Sequence, residues 1–261
     1  MLELLFLSHF IADFPLQTNS IYAAKMRSVW GVLIHVGVVT LINIILLLPF
    51  ITNPNTWYAI ALIFIVHTLM DQTKVSVTKK YPSTDNTWFF LIDQAVHILT
   101  IITAVKIFGL DKMFDAFTEN GKLPFWLGWY EDPFLLLVLS GIIIVSFFAG
   151  IILYFITHKR QKIKIIFQYN YPQMFVRVAL FVIVMLLGYL MLEIFAGQLA
   201  LLYIPAIFVL AGLLYFVIAQ GRRLTQNDDL FSEINYRFNI YFPLTTGIAL
   251  LFVLQFIYRY V

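Results

Sequence analysis

The chain has 261 residues, 61% of them hydrophobic and 12% charged, with a mean hydropathy of +0.88 and a formal net charge of +3. A soluble domain carries about 25% charge, so this composition excludes an ordinary soluble protein for want of polar surface and predicts a polytopic membrane protein. The lack of cysteine excludes disulfides, thiolate metal sites and cysteine nucleophiles, and leaves the compartment open.

Apolar runs of about 20 residues cross a bilayer. In chain order they read Leu2–Gln17, Val29–Pro49, Trp57–Lys74, Thr87–Phe108, Pro133–His158, Pro172–Ala196, Leu199–Gln220 and Ile240–Tyr260. The first is short, and its length also suits a re-entrant or interfacial helix. It has no basic n-region, and Ala23-Ala24 is a weak cleavage signal, so it reads as a retained helix rather than a signal peptide. The expected fold class is all-α, a polytopic membrane helix bundle of about eight transmembrane helices.

Charge sets the orientation. The loops after the first, third, fifth and seventh runs are basic, with Lys25 and Arg27, Lys79 and Lys80, the stretch HKRQKIK from His158, and Arg222, Arg223 and Arg237. The even loops are neutral or acidic: ITNPNT carries no charge, and Gly109 to Asp132 holds Asp111, Asp115, Glu119, Glu131 and Asp132 against Lys112 and Lys122. Basic loops face the cytoplasm, which places both termini outside and predicts a bacterial inner-membrane, multi-pass protein. The expected organisation is a polar four-helix domain over 1–108, an extracytoplasmic loop over 109–132 and a four-helix membrane domain of unknown role over 133–261. The loop at 109–132 is long enough for structure of its own, and its FWLGWY suits a headgroup interface. Asp228-Asp229 before LFSEI could start a short surface helix.

Ionisable groups inside a membrane are costly and mark function by default. Four of the five histidines, His9, His35, His67 and His97, lie in the first four runs with Asp13, Asp71 and Asp93. His9/Asp13, His67/Asp71 and Asp93/His97 are each spaced i,i+4, which puts an imidazole and a carboxylate on one helix face. Gln17 extends the first stripe by a turn, and Lys74 follows Asp71 by three residues. At about 1.5 Å rise per residue, the predicted topology sets all seven groups in the cytoplasmic half of the membrane, where antiparallel helices can close around one site.

Imidazole with carboxylate and no thiolate suits a divalent metal, Zn, Mn or Fe, as one ion with orienting carboxylates or as two. Such a metal activates water and polarises a phosphoryl or carbonyl oxygen. Asp71 and Asp93 are the candidate catalytic residues, Gln17 and Gln94 the supporting donors, and Lys74 an anion contact or a snorkelling cation. The same groups suit a proton or ion pathway, and a single His-x-x-x-Asp can be no more than an intrahelical hydrogen bond. Haem between histidine pairs would leave the carboxylates without a role. His158 and its basic neighbours answer anionic lipid or simply fix topology.

The stretches HFIADFPLQT, Lys25, His35, HTLMDQTK and FLIDQAVH together resemble the bacterial membrane family catalogued as domain of unknown function 3307, over about Met1 to Phe108. The resemblance implies that these residues act as a group; it brings no established activity. The motif style is also similar, more loosely, to membrane-bound metal-dependent hydrolases. The expected function is therefore metal-dependent hydrolysis of an inner-leaflet lipid or phosphorylated substrate. The alternatives are a proton- or ion-coupled transporter or channel, and a non-catalytic membrane subunit. Expected partners are membrane lipid, no nucleic acid, and a second copy of the chain or a cytoplasmic protein at loops 158–170 and 221–238.

Overall fold

The computed structural model describes residues 1–119, 125–158, 170–195 and 232–260. All regular structure among them is helical, as the composition predicts. The chain divides into two compact units, Met1–Leu136 and Leu137–Val261. The expected seventh run, Leu199–Gln220, the loop at 158–170 but for its two ends, the loop at 221–238 before Ser232, and Asp228-Asp229 lie outside the described residues.

In the first unit, α1 (Leu2–Asp13), α2 (Asn19–Arg27), α3 (Val29–Leu46), α4 (Pro54–Lys80), α5 (Thr87–Ile107) and α6 (Leu110–Glu119) follow one another. Each start is written in the sequence. Thr18, Ser28, Asn53 and Asn86 cap α2, α3, α4 and α5 by accepting a backbone N–H with their side chains. Pro54 occupies the first turn of α4, where its missing N–H costs nothing. Gly109, at φ +62°, turns the chain from α5 into α6, a backbone conformation that favours glycine.

The α1 helix differs from the expected run. It ends at Asp13 instead of continuing to Gln17, because Pro15 supplies no N–H to extend the ladder and its ring crowds the preceding turn. Its 12 residues reach about 18 Å, short of the hydrocarbon core at about 30 Å. It is instead packed inside the unit against α3 and α5, with Leu4, Leu5, Leu7, Ser8, His9, Ala12 and Asp13 buried. The Met1 ammonium stands 3.6 Å from Asp111 at the start of α6. The α2 helix, read from sequence as a simple loop, lies along α3. Gly31 permits this approach: a Cβ there would overlap the backbone of Ala24 and Lys25.

Three helices of this unit, α3, α4 and α5, are long and apolar enough to cross a membrane. Ile34, Leu41, Ile45, Ile65, Leu69, Ile92 and Leu99 are exposed on them, an apolar outer surface that water would not tolerate over such an area and lipid would.

In the second unit, α7 (Pro133–Ile143) continues through a π-helical turn, Ile144–Phe148, into α8 (Ala149–His158), and α9 (Tyr171–Phe195) and α10 (Ser232–Tyr260) follow. The stretch Pro133–Phe155 and the stretch Tyr171–Met191 are also long and apolar enough to span. With the three above they make a multi-pass membrane protein. The π turn frees backbone carbonyls, and Arg177 takes them. Its Nε donates to Val145 O at 2.6 Å, Nη2 to Ser146 O at 2.9 Å and Nη1 to Asn239 Oδ1 at 2.6 Å. One buried guanidinium thereby ties three helical segments together.

The close α2–α3 packing gives a direct expectation. Gly31→Ala forces overpacking that costs about 1–3 kcal/mol, so its thermal midpoint in detergent falls below that of the wild type. An unchanged midpoint would show that α2 moves aside freely.

Candidate metal centre

The first unit brings all seven sequence-predicted His and Asp residues into one buried cluster. His9 and Asp13 come from α1, His35 from α3, His67 and Asp71 from α4, and Asp93 and His97 from α5; each is at most 4% exposed. The i,i+4 spacing acts as expected. His9 Nδ1 lies 3.7 Å from Asp13 Oδ1, His67 Nε2 lies 3.5 Å from Asp71 Oδ2, and His97 Nε2 lies 3.4 Å from Asp93 Oδ1. The His67 and His97 rings stack at 3.9 Å with 15° between their planes.

Four ligand-type atoms converge more closely than the rest: Asp13 Oδ1, His35 Nε2, His67 Nε2 and Asp71 Oδ2. His35 Nε2 is 3.4 Å from Asp13 Oδ1, 3.5 Å from Asp71 Oδ2 and 3.4 Å from His67 Nε2. His67 Nε2 is 3.5 Å from both Asp13 Oδ1 and Asp71 Oδ2. A tetrahedral ion bound at about 2.0–2.1 Å holds its ligands about 3.3–3.4 Å from one another. Each of the two carboxylate oxygens therefore forms, with the two imidazoles, a three-atom set at the spacing that a tetrahedral divalent cation needs. The orphaned atoms agree, since Asp13 Oδ1, Asp71 Oδ1, Asp93 Oδ1 and His97 Nε2 are buried without an aligned hydrogen bond, an arrangement that is costly unless something else satisfies them. Three overlapping sets can hold an ion: His9, Asp13 and His67; His35, His67 and Asp71; and Asp71, Asp93 and His97.

The supporting residues divide. Gln94 is buried, and its Nε2 donates to Asp13 Oδ2 at 3.2 Å and to Asp93 Oδ2 at 3.3 Å. Its Oε1 lies 3.3 Å from His9 Nε2, so it links three of the cluster's residues. Lys74 Nζ donates to Asp93 Oδ2 at 2.7 Å, so its partner here is a carboxylate of the cluster. Gln17 does not extend the α1 stripe, because the helix has already ended. It lies in the turn, where its Nε2 donates to the Asp13 carbonyl at 3.2 Å and its Oε1 accepts from Lys25 Nζ at 3.1 Å.

Lys25 stands in the family-like pattern, but the sequence reading gave it no place in the cluster. Read as a loop cation, it is instead buried on α2, with its Nζ 2.6 Å from Asp71 Oδ2. The available signals were the Thr18 cap, which starts a helix, and Gly31, which lets that helix lie flat on α3. A cavity of roughly 480 Å³, its mouth included, borders the cluster on this side and is lined by Asp13, Gln17, Tyr22, Lys25, Lys74 and Asp93 among others. On the other side, a smaller cavity touches His9, His67, His97 and Asn43, where Ser8 Oγ donates to Asn43 Oδ1 at 2.7 Å.

The Lys25–Asp71 pair can be tested by itself. Removing one partner of a buried ion pair costs about 3–5 kcal/mol, so metal-free Lys25→Met unfolds well below metal-free wild type on heating in detergent. Equal stability would mean that water reaches Asp71 and replaces the ammonium.

Known proteins add one finding. No curated protein and no solved structure matches the chain. Residues 1–121 match the model of the family described as "Protein of unknown function (DUF3307)", a stretch that runs past Phe108 through α6 and contains every residue of the cluster.

Proposed function

We propose that the protein is a membrane-embedded, metal-dependent hydrolase acting on a phosphorylated lipid, or another phosphorylated substrate, at the inner leaflet of the bacterial cytoplasmic membrane. The observation that carries this reading is the set of four atoms, Asp13 Oδ1, His35 Nε2, His67 Nε2 and Asp71 Oδ2, separated by 3.4–3.5 Å in every distance given above. Those residues would hold Zn, Mn or Fe, and the bound ion would supply a polarised substrate oxygen and an acidified water. His9 and Gln94 orient Asp13. Asp93 has one oxygen engaged by Lys74 and Gln94 and presents the other, Oδ1, toward His97. That oxygen is placed to position the attacking water.

The phosphoryl preference rests on the cavity at the Lys25–Lys74 side. Lys74 is 23% exposed there, so an ammonium faces the opening, where an anionic group enters. A phosphoryl group offers acceptor oxygens to Lys74, Lys25 and the Gln17 amide. The orientation of the basic loops would put this opening at the cytoplasmic surface.

A second reading has its own observation. The small cavity beside His9, His67 and His97 leads toward Asn43 and Ser8, and a polar path of that kind suits proton transfer between histidine and aspartate. It predicts pH-dependent flux in proteoliposomes without bound metal.

Elemental analysis separates the two. Wild-type protein purified without chelator should carry at least about one equivalent of Zn, Mn or Fe, and Asp71→Ala should retain under roughly a tenth of it. Hydrolysis of phosphorylated lipid should fall in parallel. Full metal content in Asp71→Ala would overturn the assignment, and metal-free wild type with proton flux would establish the alternative.

A further inference from the structure

Seven His and Asp side chains are more than one four-coordinate ion uses, and the excess is arranged. The ligand-type atoms fall into two sets that meet at Asp71. Its Oδ2 belongs with Asp13, His35 and His67. Its Oδ1 faces the other way, 3.9 Å from His97 Nε2, which is in turn 3.4 Å from Asp93 Oδ1. All three atoms of this second set are buried and make no hydrogen bond, and the three residues form a set able to hold an ion in their own right.

We infer that the cluster is a two-cation centre in which Asp71 bridges a closed site, made by Asp13, His35, His67 and Asp71, and an open site, made by Asp71, Asp93 and His97. This rests on the metal reading above and adds the number of ions and their division of labour. A carboxylate that offers one oxygen to each of two cations keeps them at the separation of about 3.5–4 Å found in two-metal hydrolytic sites. Four protein ligands fill a tetrahedral site, whereas three leave a position for water or substrate. Both sites border the cavity that Lys25 and Lys74 share, through Asp13 and Asp93, and the open site is set apart by its smaller number of protein ligands. His9, with Nδ1 on Asp13 and Nε2 on Gln94, forms its set with Asp13 and His67, both already used by the closed site. In this arrangement Asp93 acts on water through the open-site cation rather than directly.

Charge supports the same division and names the substrate class. Three carboxylates against two buried or half-buried ammoniums leave the ion-free cluster with one negative charge. Two dications turn it strongly positive, and a phosphoryl group restores balance where a neutral ester would not.

The test uses full-length protein in detergent, stripped and then reloaded with Mn²⁺, with metal content and electron paramagnetic resonance as the readouts. Wild type should bind about two equivalents per chain and show the broad multiline signal of an exchange-coupled pair. Asp93→Asn and His97→Gln should each keep about one equivalent and show the sextet of isolated Mn²⁺; that retained ion also reports that the bundle is intact. One equivalent with an isolated sextet in wild type overturns the two-cation centre and leaves the single-metal reading standing. Two coupled ions in Asp93→Asn overturn the assignment of the open site. No Mn²⁺ in wild type overturns the metal reading and this inference together.

Discussion

The first unit is organised by the cost of placing charge where water cannot reach. An isolated ionised carboxylate in an apolar interior is unstable by many kcal/mol, and Asp13, Asp71 and Asp93 are all at most 4% exposed. Each must therefore be met by a partner from elsewhere in the chain. The helices that bring those partners are fixed in position by this requirement: α2 carries Lys25 to Asp71, α5 carries Gln94 to Asp13, and α4 carries Lys74 to Asp93. Lipid contributes nothing to such pairing, so the inner faces set the register of the helices and the outer faces of α3, α4 and α5 need only be apolar.

Much of this was legible in the sequence, for a specific reason. An i,i+4 pair such as His67/Asp71 is a local signal, because helix geometry alone puts both groups on one face. Three such pairs, in three of the first four apolar runs, gave the cluster most of its membership, and alternating run direction gave its common level. What needed tertiary structure was less visible. Lys25 sits near Arg27 in a polar stretch and reads as a topology signal, since a cation's burial depends on a partner 46 residues away. Gln17 reads as one more turn of α1 only if Pro15 is discounted. The direction in which each oxygen of Asp71 points was also beyond the sequence, because it is set by the partners that other helices bring.

The second unit shows the same physics used for a different end. Arg177 is buried among backbone carbonyls and an asparagine, and the carbonyls it takes come from the π turn. A guanidinium presents its donors in a fixed fork, so it holds those segments at set angles as well as at set distances. Pro243 removes a further backbone donor four residues beyond Asn239. The sequence shows an arginine in an apolar run and gives no hint of this clamp, since π turns have no reliable signature.

The two lysines have a consequence for the protein's life history. With Lys25 and Lys74 already seated on Asp71 and Asp93, the carboxylates do not wait for a metal before the helices can close. The chain thereby carries its own counter-ions into the bilayer, so the bundle can be built without metal, and any cation that entered the cluster would replace one positive charge with another.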